Sequence, residues 1–235
     1  YRRALTRAER VRGREHPSNA RLWYDAGALA HERGQLELAR ERLERARDIR
    51  RAALRVDHPE LARSELGLAQ LEFQDHDYVA AKRHAQAALR SLERATGPSD
   101  ALPETLRLLG QLDAREGHYA EAAAHYERAL GLMDPAGDLS EIQRALVELE
   151  LGKALVALGE PERGVELLDA SLPVIAERLG PDRCAQLVPS YERQAEAALA
   201  MARRASARAS LEAALACTGD PETRARLDAE LARVR

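Results

Sequence analysis

Three places in this sequence carry only small residues, and they return together five times. Segments beginning at Ala20, Ala62, Pro103, Ala145 and Val188 align with starts 42, 41, 42 and 43 residues apart. The eighth residue of each is Gly27, Ala69, Gly110, Gly152 or Ala195. The twentieth is Ala39, Ala81, Ala122, Gly164 or Ala207, and the twenty-seventh is Ala46, Ala88, Ala129, Ser171 or Ala214. A small residue held at a fixed place marks a point where two backbones approach with nothing bulky between them. A repeat of this length is one supersecondary unit that cannot bury its apolar face alone, so the chain must stack its repeats.

The unit itself is helical. Leu43, Leu68, Leu109, Tyr126, Leu151, Leu168 and Leu211 recur at helical spacing between the small places. Gly34, Gly117 and Gly159 fall where a left-handed residue would end the first helix of each repeat, and His76 and Ala202 stand there in the second and fifth. Composition agrees: 45% of residues are apolar but only 3% aromatic, with Ala, Leu, Arg and Glu in excess over strand formers. The fold class expected is all-α, each repeat a helix, a tight turn and a helix.

Trp23 to Gly27 as W-x-x-x-G, and the terminal pairs Ala88-Leu89, Ala129-Leu130 and Ala214-Leu215, resemble the tetratricopeptide repeat. The family period of about 34 residues is exceeded by about two helical turns, which is similar to the long-period kinesin light chain type. The Gly-Pro-Asp-His-Pro linker of that type is echoed by Arg14 to Pro17, Val56 to Pro59, Thr96 to Asp100 and Leu179 to Asp182. The resemblance implies an α-solenoid wound as a right-handed superhelix. The organisation expected is the second helix of an incomplete repeat plus linker at 1–19, then repeats at 20–61, 62–102, 103–144, 145–187 and 188–219, and a capping helix at 220–235. Tyr1, Ala4 and Leu5 fit the twenty-fourth, twenty-seventh and twenty-eighth places of a repeat begun upstream, so a longer array or larger protein is expected. In the last helix Asp220 caps, while Leu227, Leu231 and Val234 share one stripe.

Other classes find little support. With 36 basic and 39 acidic residues the net charge is −3, giving no global field for nucleic acid or an anionic membrane. No apolar run approaches the ~20 residues of a bilayer span, and the opening residues lack a signal-peptide core. Cys184 and Cys217 are too few for a disulfide framework, and reduced thiols in the cytoplasm are expected. Phosphate loops, nucleophile elbows and metalloprotease helices are missing from the sequence, so no catalytic residue, cofactor or metal is expected. His16 and His58 read as turn caps before proline, His76 and His118 as turn residues, and His84 and His125 as solvated or core-bonded. The run Arg40 to Arg45 reads as a solvated face of weak ion pairs.

Transferring the groove places of the tetratricopeptide family, residue by residue, gives Tyr24 and His31 in the first repeat, Arg63, Gln70 and Phe73 in the second, and Arg107, Gln111 and Arg115 in the third. Lys153 holds the corresponding place in the fourth. Arg107, Gln111 and Arg115 are four apart and form one ridge. The expected partner is a protein or peptide segment bearing carboxylates, gripped by arginine forks, with Tyr24 and Phe73 giving apolar contact. The fifth place holds Tyr24, Leu66 and Arg107, which departs from the Lys and Asn of the chaperone-tail clamp. The paired asparagines of the kinesin light chain type are also missing. The function expected is a non-catalytic binding scaffold in the cytoplasm; the alternative is the sensor or regulatory arm of a larger bacterial signalling or effector protein. A bacterial source is suggested by only two lysines, Lys82 and Lys153, among the 36 basic residues.

Overall fold

The computed structural model describes residues 2–55, 57–95, 99–133, 138–181 and 183–234. Of the linkers read from the sequence, Val56, Thr96, Gly97, Pro98 and Asp182 lie outside the described residues. So do Tyr1 and the side chains of Ala4 and Leu5, on which the reading of an incomplete first repeat rests. Among the described residues there are twelve α-helices, one short 3-10 helix and no strand. The chain divides into two compact units, Tyr1–Leu112 and Asp113–Arg235.

The first unit contains α1 (Arg2–Arg12), α2 (Asn19–Glu32), α3 (Leu36–Ala53), α4 (Pro59–Gln74), α5 (Tyr78–Arg94) and most of α6 (Ala101–Arg115). Helices α2 and α3 form one pair and α4 and α5 the next, with α3 packed on α4. Ala30, Ala39, Leu43, Leu68 and Leu71 fill the seam between the pairs. A second cluster, including Leu66, Ala81, Ala85, Ala88, Leu92, Leu108 and Leu109, joins α4 and α5 to α6. His58 caps α4 by accepting the Glu60 N–H on its Nδ1 at 3.1 Å, and His16 Nδ1 accepts the Ser18 N–H at 3.2 Å.

The second unit contains α7 (Tyr119–Leu132), α8 (Asp138–Leu158), α9 (Pro161–Leu179), the 3-10 turn Cys184–Leu187, α10 (Val188–Ala200), α11 (Arg204–Cys217) and α12 (Pro221–Val234). One cluster built on Leu149, Leu168, Leu172, Ile175, Tyr191, Leu211 and Leu227 runs from α8 to α12. The last helix is held as the sequence predicts. Asp220 Oδ2 accepts the Thr223 N–H at 2.8 Å, and Leu227, Leu231 and Val234 are buried while Arg224, Arg226, Asp228 and Arg233 are exposed.

All fifteen small places are buried. The tightest lies between α8 and α9, where a Cβ on Gly152 would stand 2.9 Å from the carbonyl oxygen of Gly164. All five turns inside the repeats adopt one geometry. Gly34, His76, Gly117, Gly159 and Ala202 have positive φ of 69, 65, 81, 93 and 57°. The N–H after each bonds to the carbonyl five residues back: Gln35 to Ala30, Asp77 to Glu72, His118 to Asp113, Glu160 to Leu155, and Arg203 to Ala198, at 2.8–2.9 Å. This six-to-one bond satisfies a carbonyl left over at the helix end. It is strong enough to hold His76 and Ala202 in a conformation L-residues avoid.

The expectation of two free thiols is corrected. Cys184 and Cys217 form a disulfide with their Cα atoms 5.1 Å apart. Thirty-three residues separate them in sequence, but α10 and α11 fold back so that the end of α11 lies beside the 3-10 turn. The bridge therefore ties the entry of the fifth repeat to its exit.

Candidate functional site

In the first unit the residues expected to line a groove stand on α2, α4 and α6, the first helices of three repeats. Tyr24 is half-buried on α2. Gly67 of α4 lets it in: a Cβ there would meet Tyr24 Cε2 at 3.1 Å. The Arg50 guanidinium lies 5.1 Å above the Tyr24 ring, close enough for cation–π attraction. Arg50 is 3% exposed, donates to Ser64 Oγ at 2.6 Å and makes a short ion pair with Glu60. Burial pushes the Tyr24 hydroxyl above its ordinary pKa, against the pull of Arg63 and Arg50, and the same burial lowers Arg50. Tyr24 is thus anchored from behind by a residue that no sequence pattern singles out. Arg50 falls in the extra turns of the long period, beyond the places whose spacing could be compared.

Towards α6 the polar residues connect. Gln70 Nε2 donates to Glu104 Oε1 at 2.7 Å, Arg107 lies 4.0 Å from the same oxygen, and Arg107 Nη1 donates to Gln111 Oε1 at 3.2 Å. Arg63 is exposed, with Glu60 3.6 Å away. Phe73 meets Tyr78 edge to face at 5.5 Å between centroids. The Tyr78 hydroxyl in turn sits 2.9 Å from His76 Nδ1. His31 is half-buried, and its Nε2 is buried with no hydrogen-bond partner among the described residues. The arrangement offers alternating donors and acceptors on one side of α4 and α6, and shows no nucleophile with an adjacent base among the described residues.

Arg115 and Lys153 belong to the second unit. Arg115 is exposed at the end of α6, and Lys153 donates to Glu150 at 2.7 Å on α8. Glu148 takes a different partner, Arg144, at 2.9 Å, so these two carboxylates do not converge. At the α6–α7 turn Asp113, Glu116 and His118 bring three possible metal-ligand atoms within 4.8 Å of one another. Their oxygens already have partners: Asp113 Oδ2 faces His125 Nδ1 at 2.9 Å and Glu116 faces His118 at 3.2 Å. His84 similarly bonds the buried Glu65 at 2.7 Å. Both His84 and His125 thus take the core-bonded alternative.

The charged run at Arg40 is also different from the expectation of a solvated face. Arg40 grips Glu72 of α4 with two bonds of 2.9 and 2.8 Å and reaches Asp75 at 2.6 Å and Glu37 at 3.0 Å. Its hydrogen bonds to Glu72, then to Asp75, raise its affinity for the proton further. Arg42 donates to the Ala26 carbonyl at 2.9 Å and Arg45 to Glu15 at 2.5 Å. Three residues of the run thus tie α3 to its neighbours, because an arginine side chain can cross from one helix to the next.

Compared with known proteins, residues 1–52 and 60–134, more than half of the chain, match the family described as Tetratricopeptide repeat. No curated protein is similar enough in sequence to match. Among solved structures, the nearly identical TPR-like repeats assigned to a kinesin light chain of Podosopora anserina superpose with a TM-score of 0.65. They are 22% identical and cover 86% of this chain and 96% of theirs. PilF of Pseudomonas aeruginosa gives 0.66 at 19% identity, covering 93% and 85%. YrrB, described as a TPR protein with an unusual peptide-binding site, gives 0.66 at 15% identity, covering 96% and 97%. At these identities the likeness is one of fold.

Proposed function

Because the chain belongs to the tetratricopeptide repeat family, we propose that it is a non-catalytic scaffold holding a segment of another protein against its first helices. The observation that carries this reading is the Gln70, Glu104, Arg107 and Gln111 series on α4 and α6. These groups are bonded to one another yet reachable by solvent, so a peptide can exchange for their internal bonds without leaving a polar atom unpaired. That YrrB has a peptide-binding site on the same fold supports the reading.

The recognised group is a carboxylate, taken by Arg63 and Arg107. Their carboxylate partners stand at 3.6 and 4.0 Å, beyond good hydrogen-bond distance, and Arg107 holds the neutral Gln111 amide at 3.2 Å; a carboxylate that accepts a bidentate fork binds better than these. Tyr24 and Phe73 give apolar contact, and within the second unit, taken by itself, Arg115 and Lys153 carry cationic groups of the same kind. The test is affinity capture from the source cell with the wild-type chain and with Arg63→Glu, Arg107→Glu, read by mass spectrometry, with helical content checked in both. Proteins lost only with the variant support the reading; an identical set refutes it. We keep the cytoplasm as the site of action, where the reducing thiol pool is expected to open the Cys184–Cys217 bridge of the structure, so that thiol trapping in source cells finds both cysteines free. A bridge persisting there moves the protein to an oxidising compartment.

A further inference from the structure

In the first unit, on the side of the second helices, lies a cavity of about 350 Å³ between α3, α4 and α5. Its size is at the lower end of small-molecule sites. Leu54 and Leu61 give it an apolar wall, Glu65 lies at its base, and Arg51, Arg90 and Arg94 stand around it. Arg90 and Arg94 are four apart on α5 and therefore share one face of the helix, where like charges repel. The carboxylate at the base is already engaged. Glu65 is bonded to His84 at 2.7 Å and faces Arg51 at 3.6 Å. Arg90 and Arg94 are exposed and have neither a hydrogen bond nor an ion pair among the described residues. The cavity thus has two guanidinium groups in excess over its carboxylate.

We propose that this cavity is a binding site for a small phosphomonoester, its phosphate held between Arg90 and Arg94 and its apolar part laid on Leu54 and Leu61. The charge arithmetic favours phosphate over carboxylate. With Arg51 answered by Glu65, about two positive charges remain, and a phosphomonoester brings about −1.5 to −2 at neutral pH where a carboxylate brings only −1. Guanidinium forks match phosphate oxygens bidentately, and an anion between Arg90 and Arg94 removes their mutual repulsion. The site stands apart from the first-helix residues assigned to the protein partner, and neither reading depends on the other.

Phenyl phosphate is the probe, with benzoate as the same ring carrying one charge, both titrated calorimetrically into the 235-residue chain. Phenyl phosphate is expected to bind roughly ten-fold more tightly than benzoate, and Arg90→Gln, Arg94→Gln to weaken it by roughly ten-fold or more with unchanged circular dichroism and melting. Equal affinity for the two probes, no binding of phenyl phosphate at millimolar concentration, or an unaffected double variant overturns the proposal. A phosphoserine peptide that binds more tightly than phenyl phosphate overturns its small-molecule form and gives the site to a phosphorylated protein.

Discussion

Replacing Gly164 by alanine tests the packing on which the repeat register rests. A Cβ at Gly164 would stand 2.6 Å from Val156 Cγ2, 2.8 Å from the Gly152 carbonyl oxygen and 3.0 Å from the Val156 nitrogen. The valine methyl can move, but the oxygen and nitrogen belong to the backbone of α8. Reaching ordinary contact at 3.4 Å requires that α9 withdraw by about 0.6 Å from the carbonyl and about 0.4 Å from the amide. A gap of that size forfeits about a quarter of the dispersion attraction of atoms facing across the interface. Overpacking of this kind costs about 1–3 kcal/mol. Alanine returns up to about 1 kcal/mol of helix propensity, less so close to the start of α9. The net loss expected is about 1–2 kcal/mol, or a melting temperature lower by about 2–8 °C for a chain of this length. Thermal unfolding followed by circular dichroism reads it. Gly131 of α7 is the control: a Cβ there meets nothing within 4 Å, so Gly131→Ala is expected to be neutral or slightly stabilising. A Gly164→Ala protein melting at or above wild type refutes the claim that the helices touch at the small places.

Three further perturbations address separate features. At the turns, Gly159→Ala is expected to destabilise by about 1 kcal/mol and Ala202→Gly to stabilise by about 0.5 kcal/mol, because both positions hold a left-handed residue; equal signs in chemical denaturation contradict the shared geometry. Reducing the disulfide of the purified oxidised protein opens a constraint between residues 33 apart, worth about 3–4 kcal/mol in the chain-entropy model. The second unit's melting is expected to fall, and thiols that stay free in the purified protein under oxidising conditions disprove the bridge. Hydrogen bonds from Thr223, side chain first and then backbone, hold the Asp220 carboxyl below its ordinary value. Its contribution to α12 is therefore complete above the ordinary carboxylate range and lost as pH falls through the lowered folded-state value. Hydrogen exchange at the start of α12 is expected to quicken in acid, and Asp220→Asn, which keeps an acceptor without a titrating proton, is expected to remove that dependence.

What could be read from the sequence was whatever recurs. The places of Gly27, Ala81 or Ala214 are forced by backbone contact in every repeat, so five copies vote on the same position. The tight turns were legible for the same reason, and Asp220 and His58 because caps act within three residues. Side chains that reach between helices were not legible. Arg40 and Glu72 are 32 residues apart, and Glu72 aligns with nothing that marks it as a partner. Arg50 lies under Tyr24 only because Gly67 leaves room for the ring, which is a fact of three helices at once. Cys184 and Cys217 occur once each, and a single pair has no period. At His76 and Ala202 residue type carries no signal for a left-handed turn, whereas the six-to-one hydrogen bond decides the conformation.

The Arg40 fork has a mechanical consequence. Since it clasps Glu72 by two parallel bonds and Asp75 by a third, pulling α3 away from α4 requires these bonds to rupture together. Load shared among bonds that break at once is resisted more stiffly than load met by bonds that open in turn. Stretched from its ends, the region from α2 to α5 is therefore expected to yield in one step, as a single rigid link.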